Sequence, residues 1–354
     1  MSDARQLVEE AFEVEEQGFD LPAAVAGALA AAGPLAICIA LHEPEIGIAA
    51  ALGGLNAALA LPRADLRRQL VWGALVVVGG AASVAAASAV MPSTWALVAA
   101  TFAWTAVWAF LRIGGPTGAL AGFVISAQFV IFAGLPAEGL DDGARTLWHL
   151  AGGVAGMALM MAARSVRART AGLPEAEGPE LTRAGVRIGL ASLRAAFTGD
   201  RLLQAHALRV AVILAATTLL YRELDLAHGY WIPLTVLAVL QPAEHASRIR
   251  AVQRAAGTAV GAGLVVVIVL LTSSQWAIVA AATLSSFALY GLLARGYFWL
   301  VVLLTPTVLL LTSALEYQSV EIAFDRATSS AAGIVIGLCW GELFWRLRLH
   351  RPAP

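Results

Sequence analysis

The chain has 354 residues, 59% of them hydrophobic and 13% charged, with a formal net charge of −1, against roughly 45 to 50% and about 25% in soluble domains. A mean hydropathy of +0.77 marks an integral membrane protein, and the near-zero charge excludes nucleic acid as an electrostatic partner. All 23 basic residues are arginine, which removes lysine-based Schiff-base and P-loop chemistry. Cys38 and Cys339 lie in apolar runs and read as small packing residues rather than a disulfide.

Residues 1–20 are acidic and lack the order of a cleaved signal peptide, so a cytosolic leader is expected, with a short helix carrying Leu7, Val8 and Phe12 on one side. A hydrocarbon core of about 30 Å needs about 20 apolar residues per helix. Six such runs fall near 22–41, 46–61, 69–91, 94–111, 117–135 and 147–163, and six more near 205–221, 229–241, 251–272, 275–293, 297–315 and 327–345. The second and eighth are short enough to be tilted, broken or only partly spanning. The expected fold is therefore an all-α integral membrane protein of about 12 transmembrane helices in two parallel six-helix modules, 21–163 and 205–346. A cytosolic linker over 164–204 joins them, and a cytosolic tail covers 347–354.

Within the linker, Val186, Leu190, Leu193 and Phe197 recur at helical spacing opposite Arg183, Arg187 and Arg194. That pattern suits a basic amphipathic helix on the membrane surface, or a plain connector touching the bundle. With both termini cytoplasmic, 20 of the 23 arginines fall inside, leaving Arg145, Arg222 and Arg326 outside. The halves also correspond. At an offset of 184, Ile48, Gln69, Gly73 and Gly79 fall on Ile232, Gln253, Gly257 and Gly263; at 181, Arg145, Gly152 and Gly156 fall on Arg326, Gly333 and Gly337. An even number of spans per copy gives both the same orientation.

Candidate site residues concentrate in 228–263. Pro233 lacks a backbone donor and biases Ile232 away from the helical region, so a helix starts or kinks there. Tyr230 and Trp231 offer flat faces with one polar atom each, suited to stacking on an aromatic ring or to a lipid-interface belt. His228 has an ordinary charge change in the physiological range and is a candidate for proton coupling. Gln241 closes the short helix. Arg248, Arg250 and Arg254 follow, with the planar fork that binds carboxylates, or simply the role of holding a loop inside. Arg254 differs from the other two in lying within a span. Asn56 stands in the first half where the second has its Tyr-Trp-Ile-Pro run. Arg145, His149, Asp325 and Arg326 are ionisable at membrane depth, and are candidates for a proton step, a carboxylate contact or an internal ion pair.

The segment from Leu193 to Asp200, the triplet Ala207-Leu208-Arg209, the run from His228 to Pro242, and Arg250 to Arg254 leading into Gly257-Thr258 resemble the fusaric-acid-resistance and aromatic-acid-exporter family. The resemblance implies an inner-membrane exporter of aromatic carboxylic acids. Larger members carry sizeable cytosolic domains, whereas the connector here is about forty residues. No GxSxG, HExxH, paired CxxC, Walker or Rossmann motif is present, so no enzyme activity, catalytic residue, metal or cofactor is expected. The expected partners are membrane lipids, a small organic anion and, from the glycine-lined helices, a second copy in a homo-oligomer. Efflux of aromatic carboxylates on a proton gradient or membrane potential is the leading expectation. A passive organic-anion channel and a non-transport scaffold or envelope factor are its rivals.

Overall fold

The computed structural model describes residues 2–13, 18–61, 65–135, 139–171, 200–312 and 320–349, and among them every regular element is helical. In chain order these are α1 (Ser2–Ala11), α2 (Leu21–Ala40), α3 (Pro44–Ala60), α4 (Leu66–Val90), α5 (Thr94–Ala109), α6 (Gly115–Gly134) and α7 (Asp142–Ala171), then α8 (Arg201–Glu223), α9 (Trp231–Val239), α10 (Glu244–Leu271), α11 (Gln275–Leu292), α12 (Tyr297–Thr312) and α13 (Val320–Leu349). The amphipathic segment expected over 183–197 lies outside the described residues. The linker itself is narrower than the expected 164–204, because α7 runs on to Ala171 and α8 begins at Arg201. Likewise α13 takes in residues to Leu349 that were assigned to a tail.

Helix starts follow local chemistry. The carboxylates of Asp20, Asp65 and Asp200 accept from Ala23 N at 3.2 Å, Arg68 N at 2.9 Å and Leu203 N at 2.9 Å, satisfying first-turn amides that have no partner in the helix. Both α5 and α11 end by tightening into a 3₁₀ turn, Phe110–Gly114 and Leu293–Arg295. The chain then reverses at Gly115 (φ 72°) and Gly296 (φ 121°), conformations that favour glycine.

Among the described residues, 8 stretches are able by length and composition to cross a membrane; one of them, Thr94–Gly134, combines α5, the 3₁₀ turn and α6. Helices α3 and α12, of 17 and 16 residues, are apolar but shorter, and α9 has 9. The short second and eighth segments expected from sequence are therefore α3 and α9. The outer face carries Val78, Trp95, Leu270, Leu271 and Leu284, each more than half exposed, as a lipid-facing surface requires.

In lipid, helices gain little from burying apolar surface and associate through close contact and polar bridges. Helix α3 packs into α7 so closely that a Cβ on Gly152 would lie 1.9 Å from the Ala50 carbonyl oxygen. Helix α4 lies on α6 and α7, and α10 on α12 and α13. The most extensive crosswise contacts are α2 on α11 and α5 on α8. In the first, the Tyr290 ring occupies the space beside Gly27, and its hydroxyl donates to Leu55 O at 2.6 Å. One apolar core thus runs continuously from α2 to α12. Helix α1 docks on α10: His245 Nε2 meets Glu10 Oε2 at 2.6 Å, Gln253 Nε2 donates to the Ala11 carbonyl at 2.9 Å, and Phe12 meets Phe298 edge-on at 5.0 Å.

Candidate functional site

The α8–α9 loop builds one mouth of the site. Asp225 (φ 47°) and His228 (φ 54°) hold left-handed backbone conformations uncommon outside glycine. Amide-to-carbonyl bonds from Leu226 to Tyr221 and from Gly229 to Leu226, both 3.0 Å, fix the loop. It presents His228 Nδ1 to Asp325 Oδ2 on α13 at 3.2 Å. Beneath it lies a cavity of about 360 Å³, lined among others by Met91, Leu135, Tyr221, Arg222, His228 and Tyr230. Arg222 donates to the Met91 carbonyl at 3.2 Å. Helix α6 ends against Tyr230 at Gly134, where a Cβ would come within 2.2 Å of the ring.

Helix α9 begins at Trp231. Pro233 falls in its first turn, where the missing N–H has no helical partner to lose. Tyr230 and Trp231 are only 3% and 2% exposed, so neither forms part of a lipid-interface belt. Behind the cavity wall, the Arg326 guanidinium lies 3.3 Å from the centroid of the Trp231 ring. Arg326 is 3% exposed, and its Nε and Nη1 have no hydrogen-bond partner.

Arg254, on α10, is 4% exposed with its Nε unpartnered, and the two guanidinium charges act on one another. Thr258, one turn further along α10, and Tyr297, at the start of α12, add buried hydroxyls without partners, and Trp231 adds its Nε1. Tyr297 also interacts electrostatically with Arg326. Among the described residues no carboxylate pairs with either arginine; the nearest in sequence, Asp325, turns to His228. Four helices therefore contribute to an interior cluster rich in donors and, among the described residues, without an anionic acceptor.

The other sequence candidates lie elsewhere. Asn56 is half-buried and spends its amide on the Leu52 carbonyl of its own helix at 2.8 Å, away from cavity and cluster. Gln241 acts through its backbone: its amide donates to Ser247 Oγ at 2.9 Å, and its carbonyl accepts from Arg209. Arg145 donates to the Leu135 carbonyl at 3.0 Å and lies 4.7 Å from the Phe132 centroid, just behind the cavity wall. His149 is hydrogen-bonded to Gln128. Of the loop arginines, exposed Arg248 pairs with Glu244, and Arg250 sits 3.8 Å over the Tyr297 ring.

Sequence reasoning missed Thr258, Tyr297, Tyr221 and the cavity role of Arg222. Thr258 was within reach, because i,i+4 spacing puts it on the face of Arg254. It also missed the burial of His206 and Arg209, which lie 3.3 Å apart through His206 Nδ1 and Arg209 Nη2.

Apolar helices in number, and charge held inside them, define an all-helical multi-pass membrane protein. Residues 185–340 match the family described as fusaric acid resistance protein-like, a stretch that contains the Trp231, Arg254 and Arg326 cluster. The chain is also 31% identical over 157 residues to an uncharacterized membrane protein, YvaC, of Bacillus subtilis (strain 168), covering 44% of this chain and 25% of that protein. It is 28% identical over 146 residues to an uncharacterized protein, YhfK, of Escherichia coli (strain K12), covering 40% of this chain and 21% of that one. The chain thus spans about a quarter or less of the length of these relatives. No solved structure gives a significant match.

Proposed function

We propose that this protein is an exporter of small organic anions, aromatic carboxylates in particular, working on the proton gradient or the membrane potential. One observation carries the reading: two guanidinium groups, Arg254 and Arg326, are buried without a carboxylate partner among the described residues. A charge taken out of water is costly unless countered, and a buried unpaired cation inside a membrane bundle is where a passing anion gains most. Arginine's planar fork matches a carboxylate, and the Trp231 ring beside it suits a flat cargo. The cavity reaching His228 and Tyr230 supplies an approach, and the family match agrees with it. A scaffold has no use for uncompensated interior cations.

We take residues 21–171 and 201–349 as two copies of one six-helix module, crossing an inner membrane twelve times with both termini cytoplasmic. The order of elements supports this: in each, a short second helix precedes a long third, and a 3₁₀ turn with a left-handed glycine separates the fourth from the fifth. The crosswise contacts of α2 with α11 and α5 with α8 support it too, since each joins the first helix of one copy to the fourth of the other. On this topology the His228 mouth faces outward, and the His228–Asp325 contact stands where a proton step would be useful.

The test is accumulation of fusaric or 4-hydroxybenzoic acid in cells lacking the protein, in complemented cells and in cells carrying Arg326→Gln. Lower accumulation on complementation alone is expected. Equal accumulation in all three counts against export, and steady anion current through reconstituted protein without proton coupling would favour a channel.

A further inference from the structure

We infer that the cargo of this site is a dianion, a small dicarboxylate presenting one carboxylate to each of Arg254 and Arg326. This rests on the anion-transport reading above and concerns the charge of what is carried. The two arginines come from different helices, α10 and α13, and each is at least 96% buried by the exposures of 4% and 3%. Their charges act on one another, a like-charge repulsion that no described carboxylate relieves. A monocarboxylate brings one negative charge and leaves a second guanidinium buried and uncompensated, which is the costly arrangement.

Hydrogen bonding agrees with the charge count. Unpartnered donors are Arg254 Nε, Arg326 Nε and Nη1, Trp231 Nε1 and the hydroxyls of Thr258 and Tyr297. One ionised carboxylate has about four lone-pair sites, fewer than these six donors, whereas two have about eight. Among the described residues, the acidic side chains nearest in sequence to the two arginines are engaged elsewhere. Asp325 is engaged by His228, and Glu244, near the start of α10, by Arg248.

The experiment uses the full chain, purified in detergent, with calorimetric binding at neutral pH of benzoate and of benzene-1,2-, 1,3- and 1,4-dicarboxylate. At least one dicarboxylate is expected to bind roughly tenfold or more tightly than benzoate. Arg254→Gln should erase that advantage while leaving benzoate within about threefold of its wild-type affinity, and Arg254→Lys, which keeps the charge, should restore part of it. Melting curves of both variants report whether they fold, and the wild-type comparison of mono- with dicarboxylate needs no variant. Benzoate binding as tightly as every dicarboxylate overturns the dianion assignment and leaves an anion site standing. Equal weakening of all four ligands by Arg254→Gln overturns it likewise. If none of the four binds to folded wild-type protein, both the dianion and the aromatic-anion proposals fall.

Discussion

The seam between α3 and α7 and the seam between α9 and α13 occupy corresponding places in the two halves and are built differently. In the first, backbone meets backbone: a Cβ on Gly53 would lie 2.1 Å from the His149 carbonyl oxygen, and one on Gly152 1.9 Å from that of Ala50. In the second, Gly333 allows a close approach only near the cavity end, where a Cβ would be 2.8 Å from the Ile232 oxygen. By Gly337 the nearest atom is 3.8 Å away. The side chains differ in the same sense. Arg145 has the Leu135 carbonyl and the Phe132 ring to hold it and leaves one nitrogen, Nη1, without a partner, whereas Arg326 has the Trp231 ring and two nitrogens with nothing to bond. At the offset of 184, Gly47 and Leu70 stand where the second half has Trp231 and Arg254. The first seam is drawn tight by backbone contact, although Arg145 Nη1 and His149 Nδ1 stay buried there without a partner. The second is looser toward Gly337 and sets Arg326, with Nε and Nη1 unpartnered, over the Trp231 ring.

Five substitutions break or sharpen that contrast. The largest effect is expected at Arg326→Gln, which should weaken aromatic-acid binding by roughly a hundredfold, read by calorimetry, since truncating a buried charge partner costs about 2 to 5 kcal/mol. The matched change Arg145→Gln should leave binding within about threefold and lower the melting temperature instead, because it frees the Leu135 carbonyl. A loss of binding equal to that at Arg326 would put both halves in the site. Next comes Gly152→Ala, which must push α7 off α3 and should destabilise by about 1 to 3 kcal/mol in thermal unfolding. Its counterpart Gly337→Ala meets only ordinary contact and should stay within about 0.5 kcal/mol. Smaller again is Asp325→Asn, which removes the half-exposed contact with His228 and should change the efflux rate by about threefold, read in proteoliposomes with and without a pH gradient. An unchanged pH response would leave His228 as a loop residue.

Helix positions were legible because a membrane imposes a length and a polarity on every crossing, so apolar runs and the prolines and aspartates between them marked most ends within a few residues. The short α3 and α9 were legible for the same reason. Arg254 and Arg326 stood out because charge at membrane depth is rare enough to be conspicuous. What stayed hidden depends on which helix lies beside which. Tyr297 opens a helix and looks like an interfacial anchor until α12 is placed against α10. Trp231 suited a lipid-interface belt as well as the interior, and only the packing of α13 shows it covered. In sequence Arg209 stands out only as part of the Ala207-Leu208-Arg209 triplet, and the packing of α8 reveals it buried, with its backbone carbonyl accepting from Trp340 Nε1 at 3.1 Å. Asn56 had a plausible position and the wrong direction, a matter of rotation about the helix axis that composition does not encode.

Helix α9 has 9 residues and rises only about 14 Å, less than half the roughly 30 Å of a hydrocarbon core. An electric field across a membrane concentrates where the insulating layer is thinnest, and solvent entering the 360 Å³ cavity above α9 thins it further. A charge passing this partition would do most of its electrical work in one short step, about 2.3 kcal/mol per elementary charge at 100 mV. The voltage dependence of transport would then count the charges on the cargo directly.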